Sequence, residues 1–149
     1  MALEVSRDVD ALAEQMLADA YELVLGGWCQ GSSAQDEMGR AIEPSSAFAR
    51  SWSVSGALER VWKRGGEEPD AALDAFERAN LSLAAAVRDV PEKWNDGPRR
   101  TRAEALEALA EATRLVRDGL GAPPPLVDGL LDDLGRYEAI PGFLFESSS

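Results

Sequence analysis

Two carboxylate pairs, Asp74-x-x-Glu77 and Glu104-x-x-Glu107, carry the spacing in this chain best suited to catalysis. Acids three apart share a helix face, and two such faces set together can hold Mg²⁺ against a nucleotide phosphate, which is the chemistry of a nucleotide hydrolase. Chance accounts for the pairs equally well. Placed at random, 27 acids among 149 residues give about five pairs at this spacing, and five occur, so solvated helix faces explain them too. Histidine is absent. That removes serine–histidine, cysteine–histidine and histidine-based zinc chemistry together. The lone cysteine, Cys29, has neither a histidine base nor a basic neighbourhood to lower its pKa, and reads as an inert thiol. No P-loop, dinucleotide-binding glycine motif, EF-hand loop or zinc-ligand spacing occurs, so neither a metal site nor a cofactor is expected.

A second constellation suits binding better than catalysis. GGWCQG at 26–31, SWSVSG at 51–56 and WND at 94–96 each set a tryptophan beside small and polar residues. Trp28, Trp52 and Trp94 would wall a pocket in which Gln30, Ser53, Asn95 and Asp96 supply polar contacts, with Asp36 in the intervening loop as a further contact. The plainer alternative makes the tryptophans core residues whose indole N–H groups find loop carbonyls, with Asn95 and Asp96 holding a turn. Arg99, Arg100 and Arg102 form one local basic cluster, which either answers the acidic first helix or anchors an anion at a helix start.

The net charge of −12 repels phosphate backbones, which argues against a nucleic-acid partner. Residues 1–43 hold nine acids and two bases, and residues 101–149 hold nine acids and four bases. This suits solubility first, and an acidic decoy of a nucleic-acid-binding protein second. The acidic start lacks a signal peptide's character, and no apolar run approaches the ~20 residues of a membrane span. With a single cysteine as well, the expected compartment is the cytoplasm.

The elements that must position these groups are helices. Val9, Leu12, Ala13, Met16, Leu17, Ala20, Leu23 and Val24 recur at helical steps, predicting a first helix over about 7–25, N-capped by Ser6 and stopped by Gly26-Gly27. A loop of about fifteen residues with room for a short hairpin follows. Pro44 then opens a second helix over about 45–64, whose Phe48, Trp52, Ser55, Leu58, Val61 and Trp62 share a face. Its small middle, Ser51 to Ala57, invites close approach of another backbone or a ligand. A third helix over about 70–88 ends at Val90-Pro91, and VPEKWNDGPRR reads as an ordered turn. The capping box Thr101-x-x-Glu104 starts a fourth helix over about 102–118. A Pro-rich linker, a short helix over about 126–138 and an aromatic tail complete the chain and suggest a homodimer arm.

In combination, W-x-Q-G at 28–31, the loop with Asp36 and Gly39, W-x-x-x-G-A-L at 52–58, W-N-D at 94–96 and T-x-x-E at 101–104 resemble an uncharacterised helical domain family of actinobacteria and their phages, over about residues 20–117. The resemblance implies a compact helical domain and lends no activity. Ser53 stands where it leads one to expect a second cysteine, which argues against a preserved metal site. The reading is an all-α domain at 1–121, a compact bundle of four main helices, with the linker, short helix and tail of 122–149 packed on it or on a partner subunit. It acts as a non-enzymatic binding or regulatory module for a protein or small molecule through a tryptophan-lined pocket or surface. The Mg²⁺-dependent hydrolase and the acidic decoy stand as alternatives.

Overall fold

A computed structural model of the chain describes residues 2–65 and 69–119. The expected linker, short helix over 126–138 and tail lie outside them. The described chain is predominantly helical: α1 (Ala2–Gly26), α2 (Val54–Arg64), α3 (Pro69–Val87), α4 (Pro91–Asn95) and α5 (Arg102–Arg117), with one two-stranded antiparallel ribbon of β1 (Ala34–Gln35) and β2 (Ser51–Trp52). None of these helices is long and apolar enough to cross a membrane.

Helices α1, α3 and α5 pack on one another because each carries a stripe of alanine and leucine at helical spacing. Ala13, Leu17 and Ala20 of α1, Ala75, Ala79 and Leu83 of α3, and Ala105, Leu109 and Ala112 of α5 are all fully buried in one core cluster. Alanine lets helix axes approach closely, while each buried leucine contributes roughly 1.5–3 kcal/mol by leaving water. Ser82, also fully buried, satisfies its hydroxyl by donating to the Ala112 carbonyl at 2.7 Å. Two acids of α1 are answered from the other two long helices: Arg78 pairs with Asp10 at 3.1 Å and Arg117 with Glu14 at 2.9 Å. The basic cluster does something else. Arg102 donates to the Leu25 carbonyl at the C-terminal end of α1, where a cation suits the helix dipole, and Arg100 turns onto Trp94.

The expected boundaries need correction at three places. Helix α1 already begins at Ala2, so Ser6 is not its N-cap. The segment read as a turn holds the short helix α4, opened by Pro91. The largest difference is the second helix, which begins at Val54 and not near Pro44. Trp52, read as part of its apolar face, sits in β2 opposite Ala34, and its indole donates to the Pro44 carbonyl at 3.0 Å. Arg60 reaches back to the carbonyls of Pro44 and Ser46 at 2.9 and 2.8 Å, holding residues 44–50 as turns. Phe48 consequently points outward, 69% exposed. The helical period of Phe48, Trp52 and Ser55 was therefore coincidental. Ser53 is the N-cap, its backbone extended and its hydroxyl accepting from the Gly56 amide at 2.9 Å.

The small middle of that segment has a clear use. Gly56 lies so close to the segment leading into β1 that a Cβ there would overlap the Ser33 carbonyl, the same carbonyl that accepts from the Ser53 amide at 3.0 Å. Replacing Gly56→Ala should therefore destabilise the fold by about 2–3 kcal/mol, as overpacking does when only backbone can yield. Gly26→Ala, with open space at its Cβ, should stay within about 0.5 kcal/mol. Urea unfolding of the two variants checks the contrast, and equal midpoints would mean that Ser33 gives way freely.

Candidate functional site

The three tryptophan segments meet around Asn95. Pro91 fixes the start of α4, and its single turn brings Asn95 to the N-terminal end of α2 and to the segment 27–31 that follows α1. Asn95 is fully buried and uses its whole amide. Its Oδ1 accepts from the Trp28 indole at 2.8 Å and from the Val54 amide at 3.1 Å. Its Nδ2 donates to the Cys29 carbonyl at 3.0 Å and to the Asp96 carboxylate at 3.1 Å. Two donors and two acceptors are all an asparagine side chain has, so the group is saturated. Gln30 adds a parallel tie, donating to the carbonyls of Asn95 and Gly97, both at 2.9 Å, and Asp96 accepts from the Gly31 amide at 3.0 Å.

Trp28, Gln30, Asn95 and Asp96 thus come together as a clasp, with Ser53 beside them as a helix cap. They engage one another, and among the described residues Trp94 lines a cleft to which neither Trp28 nor Trp52 contributes. Trp52 is buried and bound to Pro44, and Trp28 is tied to Asn95. Asp36 stands apart, turning the loop after β1 by accepting from the amides of Met38 and Arg40 at 2.9 and 3.0 Å. The Arg40 amide is the main reason its carboxyl lies below the usual range.

Trp94 faces the other way. With Ala86 and Val87 of α3 and Glu104, Glu107, Ala108, Glu111 and Arg114 of α5 it lines an open cleft of about 350 Å³. The Arg100 guanidinium lies 4.1 Å over the indole ring, donates to the Trp94 carbonyl at 2.9 Å, and stands 3.7 Å from Glu104. Arg114 pairs with Glu111, and Glu104 also closes the capping box with the Thr101 amide at 3.0 Å. Glu107 has no ion pair among the described residues.

The four acids of the hydrolase reading are not assembled. Ser82 of α3 meets Ala112 of α5, and Ala86 and Val87 share the cleft with residues 104–111, so the two helices run antiparallel. In that register Asp74 and Glu77 lie roughly 15–20 Å or more along the axes from Glu104 and Glu107. Among the described residues, no group of three or more acidic or cysteine side chains is placed to hold a metal ion.

Sequence reasoning missed Glu92. It lies one helical turn before Asn95, on the side of α4 that meets α2, and its Oε1 is enclosed with no hydrogen-bond partner. Burial pushes its carboxyl above the ordinary range, the Ser53 hydroxyl opposes the rise, and the Asp96 charge adds to it. Burial likewise raises the Cys29 thiol, 6% exposed, in keeping with an inert thiol. The spacing Glu92-x-x-Asn95 would have pointed to a shared face had 91–95 been read as helix.

The pattern that describes a family of unknown function, DUF6197, matches residues 9–115. The chain belongs to this family. The match runs from α1 almost to the end of α5 and takes in both the clasp and the cleft of this DUF6197 domain. No curated protein and no solved structure matches the chain.

The saturated amide makes a sharp demand. Asn95→Asp keeps the two acceptor contacts but puts an oxygen against the Cys29 carbonyl and the Asp96 carboxylate, whereas Asn95→Ala leaves the Trp28 and Val54 donors unpaired. Each unpaired buried group costs about 1–3 kcal/mol. Both variants should lose at least about 3 kcal/mol in urea unfolding, with the aspartate the worse near neutral pH. An aspartate variant as stable as the parent would refute the assignment of the amide's two ends.

Proposed function

We propose that this DUF6197 domain is a non-enzymatic binding module whose cleft between α3, α4 and α5 takes a cationic side chain, lysine or arginine, presented by a protein partner. One observation carries the reading: Trp94 and three glutamates, Glu104, Glu107 and Glu111, line the same open cleft. An indole attracts cations through its π-face, and carboxylates around it add charge and hydrogen-bond acceptors. Arg100 supports the chemistry from within the chain, since its guanidinium already combines a tryptophan face with a glutamate. Glu107 is the carboxylate left to meet an incoming cation. The clasp supports the reading indirectly, because a side chain that holds a ligand needs a rigid mount, and Asn95 fixes the helix from which Trp94 projects.

A labelled hexa-arginine peptide titrated into the full chain tests this. Binding should weaken with added salt and fall roughly fivefold in Glu107→Gln, a loss of about 1 kcal/mol. Glu22→Gln, on the exposed face of α1, should bind as the parent does. Equal small losses in both variants would show attraction to the net charge alone and favour the acidic decoy; no binding at low salt would remove the cleft from consideration.

A further inference from the structure

Glu92 is hard to account for as a structural residue. Its Oε1 is enclosed and unpartnered, and among the described residues it makes no ion pair. The groups around it are unhelpful to a negative charge. Asp96 follows on its own segment, Glu59 comes from α2, and the Cys29 thiol comes from the segment after α1; the hydroxyls of Ser53 and Ser55 are the favourable neighbours. At the near end of α3, Arg88 and Asp89 are exposed and make no ion pair with it. The N-terminal end of α2 would welcome an anion, and of its amides those of Val54 and Gly56 are taken by Asn95 and Ser53. An ionised Glu92 therefore costs more where it sits than a protonated one does.

We propose that Glu92 is a proton-sensitive latch on the clasp: protonated, it lets α4 seat against α2, and ionised, it favours an opened state in which α4 lifts and the Cys29 thiol is uncovered. The inference does not depend on the cleft binding anything. The direction follows from linkage. Burial holds the folded carboxyl above its ordinary value of 4.5, so between 4.5 and that raised value the closed state keeps a proton that an opened state releases. The contribution of Glu92 to closure is thus complete below 4.5 and is lost as the pH climbs through the raised value.

Cys29 is the only cysteine in the chain, is 6% exposed with the clasp closed, and has its backbone carbonyl held by Asn95, so thiol labelling by a maleimide is the readout of opening. The measurement is the labelling rate of the full-length parent divided by that of Glu92→Gln, from acid to neutral pH, which cancels the thiol's own ionisation. The ratio should start near one at acid pH and rise clearly above one as the pH climbs through the raised value of the carboxyl. The competing effect has the opposite sign: in a clasp that stays closed, the Glu92 charge raises the Cys29 thiol and slows labelling. A ratio that stays flat or falls below one overturns the proposal. Hydrogen exchange of the Val54 and Gly31 amides in the parent gives a second reading that needs no variant. Their protection, referenced to amides in the middle of α5, should drop over the same pH range, and constant protection would equally overturn it.

Discussion

The buried amide of Asn95 is the constraint on which the rest of the arrangement depends. A side-chain amide sealed from water must find partners for two donors and two acceptors, and here they come from Trp28, Cys29, Val54 and Asp96. Three of these lie more than forty positions away along the chain. Meeting all of them at once fixes the segment after α1, the start of α2 and the whole of α4 relative to one another. The three long helices pack through non-directional alanine and leucine contacts, which tolerate small slips; the clasp does not, because each hydrogen bond requires its own distance and angle. Trp52 extends the same junction. Its strand pairs on one side with Gly27 and Cys29 and on the other with Ala34, and its carbonyl leads into the Ser53 cap.

How far the sequence revealed this depends on the range of the interactions. Helices α1, α3 and α5 are legible because their signals are local: an apolar stripe at three- and four-residue steps, Gly26-Gly27 at the end of α1, Val90-Pro91 after α3, and the Thr101–Glu104 capping box, which forms as expected. The start of α2 was misread because Phe48, Trp52 and Ser55 mimic a helical period, while what decides the matter, Arg60 and Trp52 holding Pro44, is tertiary. The closeness of Gly56 to another backbone was anticipated from the run of small residues, but not which backbone.

The candidate site shows the same division. Grouping Trp28, Gln30, Asn95 and Asp96 was correct as proximity, because residues of mixed aromatic and amide character set beside turns tend to bond across loops. The expected pocket failed because those polar groups are spent on each other. Asn95 in W-N-D looks locally like a turn residue, and nothing within five positions shows that its partners lie across the fold. Glu92 was passed over for a related reason. In a chain with 27 acids one more glutamate carries no signal, and its difference from the others lies entirely in burial and in the company it keeps.

Helix α4 has only five residues, and its two sides do different things. Glu92 and Asn95 face inward to the clasp, while Trp94 between them faces the cleft with the glutamates of α5. So short a helix has little stability of its own, since a single turn fixes more dihedral angles than its hydrogen bonds repay. Its persistence rests on the proline that starts it, on Asn95, and on Arg100, which stacks on Trp94 and bonds its carbonyl. Because the two sides share one turn, any motion that withdraws Asn95 from α2 must also move the indole at the cleft. A carboxyl on the inner side is therefore mechanically connected to the outer surface through about 5 Å of helix, without a chain of intermediates.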